Sequence, residues 1–83
     1  MVHVKVFQNH PTPVTLLETE EPTVRDAVGE IMLKFNRNTY KGNVHVEIDG
    51  KQALYDPWFC TFYKWLDKVG WRQIRNTQWY FTH

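Results

Sequence analysis

Few residues in this chain could do chemistry, and each would need particular neighbours. His3, His45 and Glu47 fall on one side of extended segments, and two imidazoles with a carboxylate can hold zinc. A third histidine would have to come from a distance, because His10 sits among turn residues and His83 is the last residue. These positions are therefore expected to face solvent and to hold no metal. Cys60 has Lys64 four residues on, where an ammonium can activate a thiol, but no histidine adjoins it to act as a base. Cys60 is expected to be a small residue at the margin of an apolar side. There is no GxSxG, no phosphate-cradling glycine loop and no HExxH. The expectation is a protein without catalytic residues, metal or cofactor, and not an enzyme.

A different chemistry is suggested near the C-terminus. After Cys60 there are four Lys and Arg residues against one acidic residue, Asp67. Lys64, Lys68, Trp71, Arg72, Arg75 and Trp79 interleave cations with rings, a composition that holds single-stranded nucleic acid by phosphate contact and base stacking. Structural accounts compete with this one. Lysines near a helix C-terminus are favoured by the dipole, and Trp71 directly after Gly70 fits an apolar contact across a helix cap. Glu18, Glu20 and Glu21 form a small acidic stretch, most simply solvated.

These groups must be positioned by a chain of 83 residues, which makes a single domain over 1–83 with a modest core. Aromatic content of 16% is high, and large rings bury area economically in a small domain. Ten basic residues against nine acidic ones exclude a domain-wide basic field of the kind that nucleic acid or anionic membrane attracts. A single cysteine excludes a disulfide framework and a thiolate metal cluster. No signal-peptide pattern or apolar run of transmembrane length is present. A reduced, soluble, cytoplasmic protein without membrane attachment is expected.

Periodicity places the elements. Val2, Val4 and Val6 alternate with polar residues, the pattern of a strand with the valines buried. Pro11 and Pro13 make a turn, and Val14 to Glu18 returns as the second strand of a hairpin that ends before Pro22. Thr23 and Asp26 have capping-box spacing. Val24, Ala27, Val28, Ile31, Met32 and Phe35 then form one helical face. Gly29 is expected to be tolerated inside this helix, and Glu30 and Lys34 form an i,i+4 pair. Val44, Val46 and Ile48 mark a third strand, and Asp49-Gly50 a type I′ turn into a short strand, Lys51 to Leu54. Asp56-Pro57 and Gly70 read as the start and stop of a second helix. Its rings, with Trp65 and Trp58 at one end of the arc and Tyr63 at the other, spread over roughly 160°. Phe62 and Leu66 lie at its centre, facing the sheet. Trp71 to Arg75 is open between turn and strand, and Gln78 to Thr82 is a further strand candidate.

The resulting order, β-β-α-β-β-α-β, resembles the β-grasp arrangement of ubiquitin-like proteins. The stretches MVHVKVF, EEPTVRDAV and VHVEIDGKQ carry the likeness. It implies a small α+β domain built on a mixed sheet, with an extra aromatic helix before the last strand. The end of the chain, Trp79-Tyr80-Phe81-Thr82-His83, lacks the Gly-Gly tail of a conjugated modifier, and the cysteines of a β-grasp ferredoxin are missing. In style the chain also resembles the small accessory proteins with which viruses occupy host proteins. The functional expectation is a protein-binding module whose surface includes Trp65, Lys68, Trp71, Arg72 and Arg75. A single-stranded nucleic-acid module is the alternative, and a homodimer stays open.

Overall fold

The computed structural model describes residues 1–9, 11–66 and 70–74; for positions 65, 66, 71 and 74 it describes the backbone. The elements are β1 (Val2–Gln8), β2 (Val14–Glu21), α1 (Val24–Lys34), β3 (Val44–Ile48), β4 (Lys51–Asp56), β5 (Thr61–Leu66) and β6 (Gly70–Ile74). All six strands join one sheet in the order β2-β1-β3-β4-β5-β6, and every adjacent pair is antiparallel. A small α+β domain is therefore what forms. Among the described residues the mixed sheet expected from the β-grasp likeness is not seen: β1 has β2 on one side and β3 on the other, both antiparallel.

The first half follows its local signals. Thr23 caps α1, its Oγ1 accepting from the Asp26 amide at 3.1 Å and donating to Asp26 Oδ2 at 3.0 Å. Ala27, Val28, Ile31 and Phe35 are buried, Val24 and Met32 pack against the same core, and Lys34 Nζ meets Glu30 at 3.4 Å. Asp49 and Gly50 turn with φ of 49° and 81°, the pair of positive values a type I′ turn requires. The Asp49 amide donates to the His3 carbonyl at 2.9 Å while its Oδ1 accepts from the His3 amide at 2.8 Å, so this turn is also fastened to β1.

The second half corrects the expected aromatic helix. Residues 57–60 are a turn and Thr61–Leu66 is a strand. Thr, Phe, Tyr and Trp lose side-chain freedom in a helix and favour a pleated surface. Rings stand at five of the nine positions from 58 to 66, and alternation would put Thr61 and Lys64 among them on the two strand faces, so periodicity favoured the helix and was overridden. The free edge of β4 decides the outcome: Tyr55 and Phe62 become Cα partners across β4 and β5, with ring centroids 4.6 Å apart. Trp71 falls in strand β6, while the candidate strand at Gln78 to Thr82 lies outside the described residues.

One face of the sheet carries Val4, Val6, Val44, Val46, Ile48, Ala53, Tyr55 and Phe62, all buried, with α1 packed over β1 and β2. Gly29 lies on the exposed side of α1, and a Cβ there would meet nothing within 4 Å. Gly29→Ala is accordingly expected to stabilise the fold by about 1 kcal/mol through helix propensity alone. A urea midpoint at or below wild type would show that this backbone is not held as an ordinary helix. Among the described residues no helix is long and apolar enough to cross a membrane.

Candidate functional site

The turn between β4 and β5 presents the rings that the sequence placed on a helix. Four residues, 57–60, join Asp56 to its Cα partner Thr61. Asp at the first position of a turn and Pro at the second are also type I turn preferences, so Asp56-Pro57 serves here as a hairpin signal. Pro57 is buried. Asp56 Oδ1 accepts from the Trp58 amide at 2.9 Å, and Thr61 Oγ1 donates to the Phe59 carbonyl at 2.9 Å. Cys60 closes the turn at φ 52° and is exposed, its Sγ 3.7 Å from the Pro57 carbonyl. The left-handed conformation costs a residue with a Cβ about 1–2 kcal/mol. Thus the expected margin of an apolar helix is a strained, exposed turn position instead.

The consequence is a pinned backbone that holds Trp58 and Phe59 out in water, 62% and 69% exposed. The Arg37 guanidinium lies 5.5 Å from the centroid of the Trp58 ring. Arg37 comes from the loop 36–43, which its own hydrogen bonds hold in shape. Asn36 Nδ2 donates to the Leu33 carbonyl at 3.0 Å and Asn36 Oδ1 accepts from the Asn38 amide at 2.9 Å. Thr39 Oγ1 donates to the Lys34 carbonyl at 2.9 Å, and Tyr40 packs edge-on against buried Phe35 at 5.7 Å. Single exposed apolar residues are ordinary on a protein surface; adjacent exposed rings with an arginine over one of them are not. Phe59 and Arg37 were not singled out in the sequence, and Trp58 only as one end of the expected helical arc. The Asp-Pro pair was the available signal, and it admitted two readings.

The residues that were singled out are partly brought together. The β5–β6 hairpin makes Trp65 and Trp71 Cα partners, and Lys64 and Arg72 Cα partners. Arg72 is exposed. Trp65 and Trp71 are described as backbone positions, and Lys68, Arg75 and Trp79 lie outside the described residues. The helical spacing assumed between Cys60 and Lys64 does not exist, since the turn ends at Cys60 and Lys64 is within β5.

The face of the sheet away from α1 holds the remaining candidates. His3 Nε2 pairs with Glu18 Oε2 at 2.8 Å, whereas His45 stacks on Phe7 at 5.3 Å and 16° between planes. Glu47 accepts from Gln52 at 3.0 Å. The two imidazoles and Glu47 are thus engaged separately, and among the described residues no group of three His, Cys, Asp or Glu is disposed to hold a metal. Lys5 Nζ lies 5.6 Å from the centroid of Phe7. Two shallow depressions meet at Asn43, one lined by Gln8, Asn9 and His45, the other by Leu54, Asp56 and Tyr63. Strand alternation puts Glu18, Glu20, Glu47 and Asp56 on this face beside Lys5, an unfavourable field for a polyanion.

No protein-family model, curated protein or solved structure matches this chain.

Proposed function

We propose that this domain acts by binding another protein, with Trp58, Phe59 and Arg37 at the centre of the contact. The observation that carries the reading is the pinned turn: two adjacent, exposed rings on a backbone fixed by Asp56, Pro57 and Thr61. Trp and Arg are enriched among residues whose truncation costs most at interfaces, and a preorganised epitope loses little ordering entropy on binding. We extend the proposed surface along the sequence to Trp65, Lys68, Trp71, Arg72 and Arg75, the stretch of cations and rings that follows Thr61. The role is that of a cytoplasmic accessory or inhibitor module rather than an enzyme, in the manner of small viral proteins that occupy a host protein. The hairpin-helix-hairpin course of residues 2–56 follows β-grasp domains in the order of elements, while the antiparallel pairing of β1 with β3 departs from their mixed sheet.

The test is capture from nuclease-treated lysate by wild type and by Trp58→Ala/Phe59→Ala, with melting temperatures measured on the same preparations. A partner that survives nuclease and binds the variant at least tenfold more weakly, at unchanged melting temperature, is the expected result. Equal capture by both would refute the assignment. Pairing of Lys64 with Arg72 favours the second reading, phosphate contact with a single strand. In that case capture disappears with nuclease, and affinity falls steeply between about 50 and 200 mM salt.

A further inference from the structure

The two edges of the sheet differ in charge and in direction. Strand β2, at one edge, contains Glu18, Glu20 and Glu21 and no cation. At the other edge, β6 contains Arg72, its inner neighbour β5 contains Lys64, and neither strand contains an acidic residue. Because six strands alternate in direction without exception, β2 and β6 run opposite ways. A second copy in the same orientation would set its β2 antiparallel to the first copy's β6 and continue the alternation. Among the described residues, neither strand has a partner on its outer side.

The faces agree as well. Glu21 is the Cα partner of Val2, which packs against the core, so Glu21 belongs to the α1 side of the sheet. Arg72 reaches the same side, since it pairs with Lys64, two residues from buried Phe62. Directly opposed like charges destabilise a strand pair. Lys64 and Arg72 carry that cost within one molecule, and a carboxylate-bearing strand laid along β6 removes it. Joining two β2 edges, or two β6 edges, would instead bring like charges together. Overall charge is only +1, so little general repulsion opposes association.

We propose that a second copy of this chain is the partner of each edge, with β6 of one copy extending into β2 of the next. Such a contact is heterologous and does not close at two subunits, so it grows past the dimer into a larger ring or an open filament. The experiment is sedimentation velocity over a rising concentration series, at about 20 mM and about 0.5 M salt, where screening lengths differ several-fold. Wild type is expected to grow in mass past the dimer at low salt and to return to monomer at high salt. Arg72→Glu alone and Glu20→Lys/Glu21→Lys alone should each lower the association constant at least tenfold, with folding checked by circular dichroism. Mixing the two variants should restore association, since each supplies the edge the other lacks. A wild type that stays monomeric throughout overturns the proposal. So does association that survives either variant, or association that Trp58→Ala/Phe59→Ala abolishes.

Discussion

Phe62→Ala is expected to destabilise the domain by about 3–5 kcal/mol, the usual cost of removing a buried phenylalanine. Phe62 has no exposed surface, and its ring lies 4.6 Å from that of Tyr55 with planes inclined at 37°. It joins the last hairpin to the core that α1 covers, so truncation loses transfer energy and leaves a cavity between β4 and β5. A domain of this size has about 5–15 kcal/mol in total, so the variant should be folded only in part at moderate temperature. Urea denaturation followed by tryptophan fluorescence measures the loss. A midpoint equal to wild type would mean that β5 does not lie on the core.

Tyr55→Phe is expected to act in the opposite direction, raising stability by about 1–3 kcal/mol, the cost of a buried hydroxyl left without a partner. Tyr55 is fully buried and its Oη makes no hydrogen bond of good geometry. Burial pushes its ionisation well above the ordinary tyrosine range, and the nearby Cys60 thiol and Asp56 carboxylate act in the same direction. A raised pKa in the folded state means that stability is complete below the ordinary value of about 10 and falls as pH rises beyond it. In the unfolded chain the phenol ionises there, while in the fold it stays protonated to higher pH. Tyr55→Phe should therefore raise the urea midpoint at neutral pH and flatten the alkaline decline. An unchanged midpoint at both pH values would mean that the hydroxyl is satisfied by water or by Cys60.

Strands β1 and β3 and helix α1 were legible because each matches one period and contradicts the other. Alternating valines cannot line one side of a helix, and the spacing from Val24 to Phe35 cannot line one face of a strand. From Asp56 onward periodicity pointed to a helix, and propensity together with the vacant edge of β4 overrode it. The correct burial of Phe62 was expected from a helix that does not exist; a strand reaches the same result through its pairing with Tyr55. The candidate site was legible only in composition. Arg37 meets Trp58 across 21 positions of sequence, and Lys64 meets Arg72 through a hairpin register, neither of which local spacing encodes.

The pairing of β1 with β3 differs in kind from the other four pairings. Each of those joins neighbours along the chain, whereas β1 and β3 are separated by β2, α1 and the loop 36–43. Closing that long segment demands chain entropy before any contact rewards it, while the meander from β3 to β6 can zip up hairpin by hairpin. Assembly is thus expected to run in two halves that meet at a seam, with Val4 and Val6 docking on Ile48 and Val46 last. Ala53→Gly in the meander should accordingly slow folding more, relative to its equilibrium cost, than Val4→Ala or Val6→Ala at the seam, which should mainly speed unfolding. Stopped-flow chevrons would show the reverse ranking if the seam formed before the meander.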